Sequence, residues 1–244
     1  MIPLPDGFAL RPFAGLLGLL LAALALLFFL AGRRAVWHRA VLAALLGMAL
    51  FLLAVFAVQA PLQVEAYRAL ANAVSPFWLG ANPWLIPLVL ALFAGLCQEA
   101  ARLLAIAVAR RSWPKASLPL LGAIVGAGVG GIEAAMVLGA IPPAQLHLAS
   151  LAVLERVGAV PFHTGAGAVL GLGLAKGRAG LAFLAVLALH VLIDFFAAAL
   201  SYGIGGLALT EAISLAVGLG LYLSSLLVAR RLPAPSGPPL DAAL

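Results

Sequence analysis

Apolar residues run along this chain in seven long blocks, each near the 20-odd residues that a helix needs to cross a bilayer, at 9–31, 41–60, 83–109, 118–140, 147–174, 180–201 and 207–229. Short breaks separate them, and the breaks carry basic residues unevenly. Arg33, Arg34 and Arg39 fill the first, Arg110, Arg111 and Lys115 the third, Lys176 and Arg178 the fifth, and Arg230 and Arg231 follow the last block, whereas the other breaks hold only Arg68, with Arg11 near the start. Cytoplasmic loops collect Lys and Arg, so the pattern predicts an outside N-terminus and a cytoplasmic C-terminus. The fold expected is all-α, a polytopic transmembrane bundle forming one membrane-embedded domain over 1–232, with a Pro-rich disordered cytoplasmic tail at 233–244.

The longest break, 61–82, places Val64, Tyr67, Leu70, Ala71, Val74, Phe77 and Trp78 near helical spacing and predicts a short interfacial helix. Asn82 before Pro83 reads as an N-cap and first-turn pair for the third span. The start, MIPLPDGF, lacks a basic n-region, and the apolar stretch after it is too long for a signal h-region, so it is read as a span. No internal repeat supports an inverted-repeat transporter.

Composition agrees with this class. Of 244 residues, 65% are hydrophobic and 9% charged, far from the roughly 25% charged of soluble domains. The mean hydropathy is +1.19. The net charge of +6 reports topology rather than a nucleic-acid partner, because the basic residues sit in the breaks. Cys97 is the single cysteine and makes no intrachain disulfide.

Against this background the charges inside the spans stand out, since each costs about 2.5–3.5 kcal/mol at a helix centre. They are Glu99 and Arg102, Glu133, Glu155 and Arg156, His163, and His190 and Asp194, all in the third to sixth spans. Counted from the cytoplasmic ends, Glu99, His163 and His190 lie about 15–17 Å deep, and Glu133 and Asp194 about 22 Å. His190 and Asp194, at i and i+4, share a helix face, as do Glu99 and Arg102 at i and i+3. With every acid ionised and both histidines neutral the set carries two excess negative charges, which one divalent cation balances. Two histidines with carboxylates suit zinc: three protein ligands, an open position for water, and a further Glu as base. GAIVGAGVGG at 122–131 is not a phosphate loop, because no Lys follows and it lies within a span; Gly122, Gly126 and Gly130 at four-residue spacing predict a close-packing face, and Gly165 and Gly167 beside Thr164 another.

Four segments on successive spans, FAGLCQEAARLL, GAGVGGIEAAMVLG, ERVGAVPFH and HVLID, resemble the YhfC-like family of intramembrane metalloproteases, related to the PrsW and CAAX-protease (CPBP) group. The resemblance covers about residues 93–200 and implies a catalytic core near 83–201. It implies a peptidase of the prokaryotic plasma membrane acting on membrane-embedded or lipid-anchored protein substrates. In that reading His163, His190 and Glu133 bind zinc, with Asp194 a fourth ligand or a support behind the ligands. Glu99 is the general base, and Arg102 or Arg156 steadies the oxyanion. Glu155 and Gln98 are supporting residues. Gln98 stands where the family's first acid of an EE pair is found, which bears on activity. Three alternatives remain open: the same site without metal, Glu99 activating water directly; a proton-coupled transporter using the acids and histidines as a relay; and a noncatalytic scaffold or receptor.

Overall fold

A computed structural model describes residues 11–30, 37–141 and 149–231. The tail at 233–244, Arg33, Arg34 and His147 lie outside the described residues. The described chain forms α1 (Arg11–Leu30), α2 (Trp37–Leu53), a π-helical turn (Ala54–Gln59), α3 (Ala60–Ala73), α4 (Pro76–Ala81), α5 (Leu85–Ala109), α6 (Leu118–Gly139), α7 (Ala149–Ala175), α8 (Ala179–Ser201) and α9 (Leu207–Arg231). Among the described residues six helical stretches are long and apolar enough to cross a membrane, and α1 adds a shorter apolar stretch, Ala14–Leu27. Helix positions agree with the apolar blocks, and the protein is by length and composition a multi-pass membrane helix bundle.

The second span does not end near residue 60. Helix continues from Trp37 to Ala73, 37 residues, or roughly 55 Å at 1.5 Å per residue against a hydrocarbon core of about 30 Å. Pro61 explains the local winding. Its ring would collide with the carbonyl four residues back and it has no N–H to donate. The backbone widens into a π turn there, with the Ala60 N–H reaching back five residues to Val55 O. The expected interfacial helix is thus the continuation α3, followed by α4, whose N-cap Ser75 accepts from the Trp78 N–H through Oγ at 3.2 Å. Asn82 does not cap α5. Its side chain turns back, Nδ2 donating to Trp78 O at 3.0 Å, while its carbonyl accepts from the Leu85 N–H and α5 opens at Leu85.

α6 is the central post, with every residue from Leu118 to Gly131 buried. It packs on α7, α1, α2 and α5, while α9 lies along α7 and α8 along α5. The glycine face read from the sequence is the α6–α7 seam. A Cβ on Gly122 would sit 1.9 Å from Gly167 O, and one on Gly126 would sit 2.0 Å from His163 O, so backbone meets backbone. Gly165 instead faces Tyr222 of α9. This seam sets the position of His163 directly, because Gly126 lies against its carbonyl.

Arg39 near the start of α2 donates to Ser112 O after α5, at 3.2 Å. Successive long helices alternate in direction, so Arg39, Arg110, Arg111, Lys115, Lys176, Arg178, Arg230 and Arg231 gather at one end of the bundle. Glu65 and Arg68 pair at 2.6 Å on exposed α3, a surface contact worth at most about 1 kcal/mol.

Gly126→Ala is expected to lower the thermal midpoint in detergent by a shift corresponding to about 1–3 kcal/mol of overpacking. Gly220→Ala, whose Cβ meets nothing within 4 Å, is expected to leave it unchanged or raise it slightly. Equal midpoints for Gly126→Ala and the unmodified protein would contradict a seam packed backbone to backbone.

Candidate active site

Six of the nine singled-out residues converge. α5 contributes Glu99 and Arg102 one turn apart, both fully buried, with the guanidinium Nη1 donating to both carboxylate oxygens. α8 brings His190 against the same carboxylate, Nδ1 lying 2.5 Å from Glu99 Oε1. α7 brings His163, whose Nδ1 faces Arg102 Nη2 and whose Nε2 faces Glu133 of α6. Asp194, one turn along α8, lies 3.5 Å from His190 Nε2. The two imidazoles stand edge to face with centroids 5.5 Å apart, and Phe162 closes the cluster with its ring 5.4 Å from His163 and 5.2 Å from His190. The shared depth inferred from the spans corresponds to real contact.

Hydrogen placement follows from donor chemistry. Arginine only donates, so His163 accepts at Nδ1 and carries its hydrogen on Nε2, which it gives to Glu133. Glu99 accepts at both oxygens, so His190 carries a hydrogen on Nδ1 and turns Nε2 toward Asp194, a nitrogen that offers a lone pair when the ring is neutral. The cluster is a chain from Asp194 through His190, Glu99, Arg102 and His163 to Glu133.

Arg156 and Glu155 stand beside it rather than within it. Arg156 donates to Glu155 from Nε and Nη2 and directs Nη1 to 3.6 Å from Glu133 Oε2. That Nη1 is buried and has no hydrogen-bond partner. Gln98 turns away from the site: its Nε2 donates to Gln59 Oε1 of the π turn at 3.2 Å, and Gln63 Nε2 anchors to Leu90 O at 2.8 Å. Gln98 thus secures α5 to the second span and does not back the ligands.

In this arrangement the expected zinc ligands face one another, His163 Nε2 toward Glu133 and His190 Nε2 toward Asp194. His163 as a ligand through Nε2 would have to move its hydrogen to Nδ1, against the guanidinium of Arg102. Among the described residues no three His, Cys, Asp or Glu side chains are grouped as a metal-holding set. The lone pair that is available belongs to His190 Nε2, beside Asp194.

Sequence reasoning passed over Gln59, which lies at the end of an apolar block, and Glu211 of α9. Glu211 lies within electrostatic reach of Glu155 and Arg156, and its Oε2 is buried without a hydrogen-bond partner. The in-register parallel packing of α7 and α9, seen where Gly158 meets Ser214, brings these residues level. Compared with family models, with curated proteins and with solved structures, the chain matches none.

Arg102→Met is expected to destabilise the protein by about 3–5 kcal/mol, because it leaves Glu99 charged and unpaired in the core. Combining it with Glu99→Gln is expected to recover most of that loss, as measured by denaturant unfolding in mixed micelles. Additive losses would mean that the two side chains do not act as a pair.

Proposed function

We propose that this protein is an intramembrane peptidase in which a Glu99–His190 dyad activates water without a metal. The reading is supported above all by His190, which gives Nδ1–H to Glu99 and presents Nε2 beside Asp194. Glu99 acts as the orienting acid, since Arg102 and His190 engage both its oxygens. This differs from Glu99 as the base itself.

In the proposed reaction a water hydrogen-bonded to His190 Nε2 loses a proton to that nitrogen as its oxygen adds to the scissile carbonyl carbon. Glu99 stabilises the imidazolium that forms and fixes its ring. Of the two arginines considered for the oxyanion, Arg102 engages Glu99 and His163 through its Nη atoms and keeps only Nε, on a side chain with no exposure, whereas Arg156 keeps Nη1 beside the partly exposed Glu133. Arg156 therefore takes the oxyanion. His190 then returns the proton to the leaving amine, the carbon–nitrogen bond breaks, and acid and amine leave. His163 holds Glu133 beside Arg156 and acts by positioning.

The family resemblance to YhfC-like intramembrane proteases belongs to the same proposal, as do the outside N-terminus, the cytoplasmic C-terminus and the prokaryotic plasma membrane. Substrates in this reading are polypeptides embedded in or anchored to the bilayer.

His190→Gln and Glu99→Gln are each expected to reduce cleavage of transmembrane test peptides in proteoliposomes by about 10²-fold or more, read by mass spectrometry of the fragments. Treatment with a zinc chelator is expected to leave cleavage unchanged. Activity abolished by the chelator and restored by added zinc would overturn the metal-free mechanism and favour a metal on His190 Nε2 and neighbouring carboxylates.

A further inference from the structure

The site is closed at one end and open at the other. Between it and the basic end stand Ile106, Leu121, Leu170 and Val186, one from each of α5 to α8, each 0% exposed. Glu99 and Arg102 side chains are likewise 0% exposed and those of both histidines 3%. Exposure begins only on the far side, at Glu133 (20%), Asp194 (28%) and Glu155 (19%). Among the described residues of the cluster, exposure thus lies with these carboxylates, on the side of His190 away from the basic end.

This mouth has a defined chemistry. Among the described residues, Glu133, Glu155, Asp194 and Glu211 all lie within electrostatic reach of one cation, Arg156. The Arg156 side chain is only 9% exposed, and its Nη1, facing Glu133 across 3.6 Å, lacks a hydrogen-bond partner. An unpaired buried donor is costly, the more so when charged, and it is relieved by an acceptor such as a peptide carbonyl. The Glu211 Oε2, also buried and unpaired, is an acceptor that a cationic donor satisfies. An extended polypeptide offers carbonyls and N–H groups alternately, and a lysine or arginine on it adds the positive charge that four carboxylates around one guanidinium attract.

We propose that the mouth formed by Glu133, Glu155, Arg156, Asp194 and Glu211 admits substrate from the end of the bundle opposite the basic loops and selects polypeptide segments bearing a basic residue beside the bond to be cut. The substrate role rests on the peptidase reading; the location and cation preference of the mouth are read out without cleavage.

The test uses the full chain with Cys97→Ser as background and a single cysteine at Ala198→Cys, one turn beyond Asp194. Val137→Cys, one turn beyond Glu133, serves as a second site should the first disturb folding. Each is reacted in sealed vesicles of both orientations with impermeant thiosulfonates, one carrying an ethylammonium group and one an ethylsulfonate. The cationic reagent is expected to react roughly tenfold faster or more, and only from the side opposite the basic loops. Glu211→Gln is expected to narrow the ratio. A nine-residue leucine–alanine peptide with one central arginine is expected to slow labelling, and its glutamate counterpart is not. Equal rates, faster anionic labelling, labelling from the basic side, or equal protection by both peptides would overturn the proposal. Charge-selective labelling in a protein that cuts no test peptide would uphold the mouth and overturn the peptidase.

Discussion

The Glu99–Arg102 ion pair is the contact on which the arrangement of the site depends. Both members sit on one turn of α5 with no exposure, so neither finds water and each is stabilised by what the protein supplies. A buried pair is tolerated only when hydrogen bonds satisfy the rest of its capacity. Here that capacity reaches in two directions: the carboxylate takes the α8 imidazole, and the guanidinium takes the α7 imidazole. Two histidines on different helices are thereby given opposite tautomers by one residue pair. One turns Nε2 toward Asp194 and the other is a donor that holds Glu133. Without Arg102, His163 would lose the donor at its Nδ1 and Glu99 its paired charge.

Much of this architecture was legible in the amino-acid order. Long apolar blocks bounded by Arg and Lys gave the helices to within a few residues, because in a bilayer an apolar run has no other way to satisfy its backbone. Glycines at four-residue spacing in 122–130 marked the α6–α7 seam, since only a missing Cβ lets two backbones meet. Charges placed at matching depth on Glu99, His163 and His190 marked the cluster. The physical reason is the same in each case: the signal was a residue that the membrane would otherwise exclude.

What was not legible depended on side-chain direction and on local winding. Pro61 reads as a break, yet the chain absorbs it in a π turn and continues to Ala73, because one widened turn costs less than ending the helix there. Gln98 sits next to Glu99 in sequence but, one residue round the helix, it faces Gln59 instead of the histidines. Shared depth, ligand chemistry and the family resemblance assigned His163 to a metal. Only the position of the Arg102 guanidinium, whose reach across helices no spacing encodes, turned it into a hydrogen donor.

The glycine seam has a mechanical consequence. Two helices in backbone contact have no side chains between them to change rotamer, so the pair cannot slide or rotate by the small repackings that let other interfaces shift. α6 and α7 then form a stator, whereas α8 and α5 meet through longer side chains such as Leu187 and Val191 against Gly95. Half of the buried cluster, His163 and Glu133, is bolted to an unyielding frame, and the other half, Glu99 and His190, rides on helices joined by side chains.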